Sequence, residues 1–268
     1  MDASSTGALY RGMDRAALDA AYNNSAAVAG SGAIVEAWTR RSAELRSRFA
    51  GTLDLRYGSE ERNRVDFFEA SPGAPVLAFI HGGYWQMRAK ENFAFVAEGP
   101  LARGISVAMI GYTLAPAKRL RAIVDEIASA LSFLQQRFAS SLLISGWSAG
   151  GHLTAMAMRH PAVRAGLAIS GIYDLEPMKL SYINEKLRLD DDEVQALSPL
   201  RLAKPAKSLA IAYGARELSE LQRQSEAYAA AIATQPHALA GHDHFSILEE
   251  LASPEGELTL LARTLLGK

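Results

Sequence analysis

The chain has 268 residues, of which 49% are hydrophobic and 21% charged, values typical of a globular protein and not of a disordered or fibrous one. Lys and Arg together number 28 against 29 Asp and Glu, so no overall charge favours binding to nucleic acid or to an anionic membrane. The absence of cysteine excludes disulfides, thiolate zinc sites and a cysteine nucleophile. We therefore expect a small neutral molecule as the binding partner, and neither a nucleic acid nor a membrane.

The first 50 residues have helical patterns and no strand pattern. Residues 1–11 lack the apolar centre of a secretion signal and the chain has no run of 18 apolar residues, so a cytoplasmic protein is expected. One helix is predicted after Asp14, a residue type that favours helix starts. A second is predicted, beyond a loop at 23–32, from apolar residues at helical spacing: Ile34, Trp38, Leu45 and Phe49.

Strand and helix patterns alternate from residue 52 onward. Residues 53–57 and 64–68 flank a polar turn, which indicates an antiparallel pair at a sheet edge. Residues 75–80 and 105–110 are continuous apolar runs, typical of strands covered on both faces. The helices predicted in this region cover residues 92–103 and 120–138.

The alternation continues to the C-terminus, with strands predicted at 165–170, 208–213 and 237–240 and helices at 218–233 and within 245–266. This order predicts an α/β fold with a mostly parallel central sheet and helices on both faces, in one domain spanning 1–268. Residues 174–207 interrupt the order with three prolines and four consecutive acidic residues. They are expected to form a short helical cap or a solvated excursion.

A Gly-x-Ser-x-Gly pattern centred on Ser148 lies between the apolar run 141–145 and a helical pattern. When a strand turns sharply into a helix, neighbouring backbone comes so close that a Cβ would clash, which accounts for Gly146 and Gly150. Such a turn exposes the serine hydroxyl above the sheet and aims the N–H of Ala149 at the same point. The alternative is a glycine-rich loop with a serine that takes no part in chemistry.

The other informative positions follow the remaining strands, because ligands bind beyond the carboxyl ends of strands in an open α/β sheet. After the strand at 75–80 come His81, Gly82 and Gly83. The N–H groups of the two glycines are expected to point at an oxyanion forming near Ser148. His81 is expected to support this loop through hydrogen bonds.

Two further strand ends supply partners for a serine nucleophile. Glu217 follows the strand at 208–213, and its carboxylate could orient a histidine by accepting the Nδ1–H. His244 follows the last strand and is the predicted general base. The order serine, acid, histidine is the one expected for this architecture.

Several alternatives stay open for these roles. His242 is the lesser candidate for the base. For the acid, Glu220 is expected on a solvated helix face, Asp243 is too close in sequence to His244 to align with its ring, and Asp174 is expected to cap a turn. Residues 242–244 could also bind a metal, but no further ligand stands at suitable spacing nearby, so neither a metal nor a cofactor is predicted.

Three aromatic side chains lie beside the predicted nucleophile and oxyanion loop: Tyr84, Trp85 and Trp147. They could form an aromatic wall for the leaving group. Ordinary packing around the turn is an equally good interpretation.

Four motifs together resemble the kynurenine formamidase-like (arylformamidase) branch of the α/β-hydrolases, which is related to hormone-sensitive-lipase-like esterases. They are His-Gly-Gly-Tyr-Trp at 81–85, Tyr-Thr-Leu-Ala-Pro at 112–116, the serine turn at 146–153 and the His-Phe pair at 244–245. The resemblance covers about residues 70–248, and the Tyr-Trp ending of the first motif is its discriminating part.

This resemblance implies an α/β-hydrolase fold with a small N-terminal helical cap in residues 1–50. It implies Ser148 as nucleophile, His244 as base and an oxyanion hole of three N–H groups, those of Gly82, Gly83 and Ala149. The family's acid is usually an aspartate, where this chain has Glu217.

The activity that the resemblance implies is hydrolysis of a formamide through an acyl-enzyme, with N-formylkynurenine as the expected substrate. A broad-specificity carboxylesterase is the alternative, and a hydrolase fold that binds a ligand without catalysis is the third interpretation. The sequence leaves open whether the chain forms a homodimer.

Overall fold

The computed structural model of the chain describes residues 7–49, 52–138 and 142–268. Residues 1–6 of the N-terminal stretch, the end of the first 50 residues and Ser141, with which the apolar run before Ser148 begins, lie outside the described residues. Within the described ranges, no helix is long and apolar enough to cross a membrane.

An eight-stranded sheet forms the centre of the fold, in the order β1-β2-β4-β3-β5-β6-β7-β8. β2 runs antiparallel to β1 and β4, and all other neighbours are parallel, as the sequence predicts. The strands are β1 (Leu55–Arg56), β2 (Arg64–Phe68), β3 (Val76–Ile80), β4 (Ser106–Ile110), β5 (Leu142–Trp147), β6 (Val163–Ile169), β7 (Leu209–Gly214) and β8 (His237–Leu239).

The central strands bury both faces, which is why their sequences are continuous apolar runs. In β3, Val76, Ala78 and Ile80 enter one hydrophobic core, while Leu77 and Phe79 enter the core on the opposite face. Helices cover both cores. They are α1 (Arg15–Ala21), α2 (Asn24–Ala27), α3 (Ser31–Ser47), α4 (Glu98–Ala102), α5 (Leu120–Phe138), α6 (Ala149–Ala157), α7 (Glu176–Leu180), α8 (Asn184–Leu187), α9 (Asp191–Leu197), α10 (Ser219–Ala231), α11 (Glu249–Ala252) and α12 (Glu257–Leu265).

Two predicted elements differ from the structure. The loop at 23–32 contains the short helix α2, because the Asn23 side chain caps it by accepting the N–H of Ala26 at 3.1 Å. The predicted helix at 92–103 is two 3₁₀ turns followed by α4. Pro100 has no N–H to donate, which is tolerated in the first turn of a helix but not in its interior, so a regular helix containing Pro100 begins only shortly before it, at Glu98.

Residues 174–207 adopt the helical alternative and form a cap of three short helices, α7 to α9. Their apolar side chains, among them Met178, Leu187 and Val194, are buried in the same core as α5 and α6. The acidic run begins α9, where the Asp190 side chain caps the helix by accepting the N–H of Glu193 at 2.8 Å. The predicted single-domain division stays a prediction.

Candidate active site

Ser148 lies at a sharp turn between β5 and α6, with φ 59° and ψ −119°. A positive φ is strained for a residue with a Cβ and persists only where the surroundings hold it. Here the N–H of Ser148 donates to the carbonyl of Ile169 at 2.9 Å. A Cβ added at Gly150 would lie 2.0 Å from the carbonyl oxygen of Ile80, so this turn requires glycine at that position.

The His-Gly-Gly loop passes directly against this turn. A Cβ on Gly82 would lie 2.9 Å from the Cβ of Ser148, and Gly83 has a φ of +110° that side chains rarely adopt. Ala149 is the first residue of α6, where helix geometry leaves the N–H without a partner. Among the described residues, none accepts a hydrogen bond from the N–H of Gly82, Gly83 or Ala149. The arrangement places the Gly82 backbone and the Ala149 N–H beside the serine, with Gly83 next along the loop.

The predicted acid and base are joined in the structure. The Nδ1 of His244 lies 3.0 Å from Glu217 Oε2, and both side chains are buried. Because an ionised carboxylate only accepts, Nδ1 carries the hydrogen and Nε2 is the nitrogen available as a base. No hydrogen bond joins the Ser148 hydroxyl to His244 within the described ranges; this contact is commonly long without substrate and shortens when substrate binds.

Trp147 links the base to the nucleophile. Its indole N–H donates to the backbone carbonyl of His244 at 2.7 Å, and the two rings lie 4.7 Å apart. The indole also packs edge-on against Trp38 of α3, with ring centroids 5.8 Å apart. Trp147 is 5% exposed, so it supports the site from within the core.

The other two aromatic residues also have structural partners. Trp85 is fully buried and packs edge-on against His152, which favours the packing interpretation. Tyr84 is half-buried, and its hydroxyl donates to the carbonyl of Tyr22 at 2.5 Å and accepts from Asn24 Nδ2 at 3.0 Å. A wall formed by all three rings is not what the structure shows, because Trp85 has no exposed surface and Trp147 only 5%; Tyr84 alone stays a candidate for contact with the leaving group.

His242 and Asp243, the alternatives considered as base, acid or metal ligands, have partners away from Glu217. The ring of His242 bonds to the carbonyl of Ser246 and lies 3.2 Å from the Glu250 carboxylate, so it does not share the partner of His244. The Asp243 carboxylate accepts the N–H groups of Phe245 and Ser246 at 2.9 Å. The side chains of residues 242–244 thus turn to different partners.

The two remaining carboxylates serve the fold. Asp174 accepts the N–H of Glu176 at 3.1 Å, the turn cap that was expected. Glu220 is buried, where a solvated face was expected. It accepts from Tyr22 OH at 3.2 Å and from Arg223 at 2.7 Å, because α1 and the residues after it cover that side of α10.

Two buried histidines hold the backbone around the site. The Nδ1–H of His81 donates to the carbonyl of Gly82 at 2.8 Å, and the Nε2–H of His152 donates to the carbonyl of Leu197 in the cap at 2.8 Å. Burial lowers the pKa of each to about 4, so both rings are neutral near pH ~7. His81 supports its loop, as expected from the sequence.

Ser170, which the sequence analysis did not single out, completes the surroundings of the acid. Its hydroxyl donates to Glu217 Oε1 at 2.5 Å, and the N–H of Gly214 donates to the same oxygen at 2.7 Å. Ser170 directly follows β6, the strand next to β7 in the sheet. The rule that ligand-facing residues follow parallel strands could therefore have found it.

Several known proteins are similar in sequence to most of this chain. A protein-family model described as BD-FAE matches residues 68–165. Kynurenine formamidase of Danio rerio is 30% identical over 81% of this chain and 82% of its own length. Kynurenine formamidase of Drosophila melanogaster is 28% identical over 83% of this chain and 84% of its own length. The chain belongs to the kynurenine formamidase family.

Solved structures share the fold of this chain. A candidate thioesterase from Silicibacter sp. tm1040 superposes with a TM-score of 0.87 at 28% identity, covering 91% of this chain and 98% of that protein. A carboxyl esterase from Tuber melanosporum superposes with a TM-score of 0.63 at 15% identity, over 77% of this chain and 83% of that one, and shows the fold alone. The α/β-hydrolase fold is confirmed, and this member of the kynurenine formamidase family is an enzyme of the serine hydrolase type.

Proposed function

We propose that this chain is an arylformamidase that hydrolyses N-formylkynurenine through a formyl-enzyme on Ser148. The observation that carries the proposal is the buried hydrogen bond of 3.0 Å between His244 Nδ1 and Glu217, placed beside a strained serine turn. The kynurenine formamidases of Danio rerio and Salmo salar, each 30% identical to this chain, support the choice of substrate.

In the first half of the reaction, the Ser148 oxygen attacks the formyl carbon while His244 Nε2 takes the hydroxyl proton. A tetrahedral intermediate forms, and its oxyanion accepts hydrogen bonds from the N–H groups of Gly82, Gly83 and Ala149. The C–N bond then breaks, and the imidazolium of His244 returns its proton to the departing arylamine. The formyl group remains as an ester on the serine.

In the second half, a water molecule gives a proton to His244 Nε2 and attacks the formyl ester. The same three N–H groups stabilise the second oxyanion. Collapse of this intermediate breaks the bond to Ser148, releases formate, and returns the proton to the serine oxygen. Glu217 stays ionised throughout and stabilises the imidazolium in both halves.

A second candidate function is that of an esterase or thioesterase, since the same catalytic groups cleave these bonds. The candidate thioesterase with a TM-score of 0.87 favours it. So does the probable isoprenylcysteine alpha-carbonyl methylesterase of Oryza sativa subsp. japonica, which is 30% identical over 40% of this chain. Substrate class does not follow from fold, so only kinetics distinguishes the two functions.

The deciding experiment compares kcat/KM for N-formylkynurenine with that for p-nitrophenyl esters and an acyl thioester. The proposal predicts the highest value for the formamide. A preference for esters or thioesters by several orders of magnitude would show the second function instead. Ser148→Ala is the control and should abolish turnover of every substrate.

The third interpretation, ligand binding without catalysis, is tested by a labelled phosphonate that reacts with serine nucleophiles. Label on the wild-type enzyme and none on Ser148→Ala supports catalysis by this serine. Equal labelling of both would assign the reactivity to another residue. We also propose a cytoplasmic location and a reaction that needs no cofactor.

A further inference from the structure

A buried hydroxyl that the mechanism above does not use lies against the acid. Ser170 has no exposed surface and a φ of +50°, a sparsely populated conformation for a residue with a Cβ. Its N–H donates to the carbonyl of Ala212 at 2.7 Å, which fixes the backbone. Its side chain donates to Glu217 Oε1 at 2.5 Å. A strained, buried residue with this contact has a defined orientation toward the acid.

The two oxygens of Glu217 have different partners. Oε1 accepts from Ser170 and from the N–H of Gly214, whereas Oε2 pairs with the Nδ1 of His244. Because an ionised carboxylate has no hydrogen to give, the serine hydroxyl must be the donor. Both hydrogen bonds to Oε1 oppose rotation of the carboxylate away from the histidine.

Such restraint matters more for a glutamate than it would for an aspartate. Glutamate has one more rotatable side-chain bond, so more conformational freedom must be lost to hold its carboxylate in one place. Gly214 is the last residue of β7, three positions before Glu217, whereas Ser170 directly follows the neighbouring strand β6. The serine therefore anchors the longer side chain to a second, independent element of the sheet.

We propose that Ser170 is a positioning residue, which holds Glu217 so that its second oxygen faces His244. The inference rests on the proposed function, because it assigns Ser170 to the same triad. Loss of a hydrogen bond to a charged group lowers the corresponding rate or equilibrium constant by about 10- to 100-fold. Ser170→Ala is thus expected to lower kcat by about 10- to 100-fold and to leave KM within about twofold, since the hydroxyl acts on the base and not on the substrate.

A double-mutant cycle separates positioning from simple packing. The effect of Ser170→Ala on kcat is measured in the wild type and in Glu217→Ala. The substrate is a p-nitrophenyl ester, whose leaving group needs little protonation, so that the activity of weak variants remains measurable. If Ser170 acts through Glu217, Ser170→Ala changes kcat by less than about twofold when Glu217 is absent. An equal loss in both backgrounds would overturn the proposal.

Two further variants control for folding. Ser170→Gly also removes the hydroxyl but relieves the positive φ, so it should lose as much kcat as Ser170→Ala if the hydroxyl is responsible. Ser145→Ala removes another buried hydroxyl, which donates only to the carbonyl of Leu167, and should keep kcat. Thermal unfolding of each variant verifies that it is folded.

The outcomes distinguish this proposal from the proposed function. Wild-type kcat in both Ser170 variants, or an equal loss in Ser145→Ala, would overturn the role of Ser170 while an inactive Ser148→Ala leaves the serine mechanism standing. Wild-type activity in Ser148→Ala would instead overturn the mechanism itself.

Discussion

At the scale of single residues, the acid is the role for which the sequence offers the most alternatives. Glu217 reaches His244 Nδ1 at 3.0 Å, and its side chain is completely buried. The other carboxylates considered from the sequence have other partners. Asp243 accepts hydrogen bonds from backbone N–H groups, and Glu220 pairs with Arg223. Geometry therefore leaves Glu217 as the partner of the base.

Glu217→Gln should lower kcat by about 10⁴-fold, because a neutral amide no longer stabilises the imidazolium or fixes its tautomer. Steady-state kinetics with N-formylkynurenine and with p-nitrophenyl esters measures this loss. Glu226→Gln is the matched control, since Glu226 lies on the exposed surface and bonds to Tyr213. A Glu217→Gln enzyme within tenfold of wild type would show that another carboxylate serves as the acid.

At the scale of elements, the site is held by contacts between segments far apart in the chain. His152 ties α6 to the carbonyl of Leu197, the last residue of α9 in the cap. Tyr84 ties the His-Gly-Gly loop to Tyr22, which follows α1, and to Asn24 of α2. The N-terminal helices and the cap thus act as supports for the catalytic loops.

Acid should weaken the fold through two of these supports, His81 and His152. Burial lowers the pKa of each to about 4, whereas the unfolded chain takes up protons at the ordinary value of about 6.5. The unfolded state then binds more protons, so this stability is complete above pH ~6.5 and is lost as the pH falls toward ~4. By pH ~5 the loss is about 2 kcal/mol for each histidine.

Urea unfolding at pH ~7 and pH ~5 measures this effect for wild type and His152→Gln. The glutamine keeps a donor but does not titrate, so the difference between the two pH values should shrink by about 2 kcal/mol. His237→Asn, at an exposed histidine of β8, should leave the difference unchanged. If the difference in unfolding free energy between the two pH values is the same in His152→Gln as in wild type, His152 does not cause the loss of stability in acid.

At the scale of the whole molecule, a buried ionic cluster joins α3 to the sheet and to the segment after the oxyanion loop. Lys90 is almost completely buried, and its ammonium lies 2.7 Å from Asp66 and 2.8 Å from Asp54. The Arg46 guanidinium of α3 lies 2.8 Å from the same Asp66, which has no exposed surface. Removing one cation leaves a buried carboxylate partly unpaired.

Lys90→Met is therefore expected to lower the free energy of unfolding by about 3 kcal/mol, as is typical when one partner of a buried ion pair is lost. Lys118→Met breaks a more exposed pair with Glu60 and should cost less than about 1 kcal/mol. Urea unfolding of both variants gives the comparison. An equal loss of unfolding free energy in Lys90→Met and Lys118→Met would show that burial of the ion pair does not decide its contribution.

Much of the architecture is predictable from sequence patterns, because buried strands and amphipathic helices have distinct periods. The pattern predicts α5 at Leu120–Phe138, which the structure confirms, and the central strands to within two or three residues. Short helices are harder, since capping and packing decide them. The predicted loop at 23–32 contains α2, and the predicted helix at 92–103 is divided between 3₁₀ turns and the short helix α4.

The sequence by itself determined the parts of the site that are local in the chain. The serine turn and the His-Gly-Gly loop need particular residues at fixed spacing, because close backbone contacts exclude side chains at Gly150 and Gly82. The order of Ser148, acid and His244 follows from the order of parallel strands.

Only the tertiary structure decided which distant groups meet. Ser170 and Glu217 are separated by 47 positions, and Tyr22 and Glu220 by 198, so no local pattern reports these contacts. The pairing of strands and the docking of α1 set them, and burial then fixes each hydrogen bond, because an unpaired polar group inside the protein is costly. Packing likewise placed Trp85, for which a pocket wall and ordinary packing were equally good interpretations, in the core with no exposed surface.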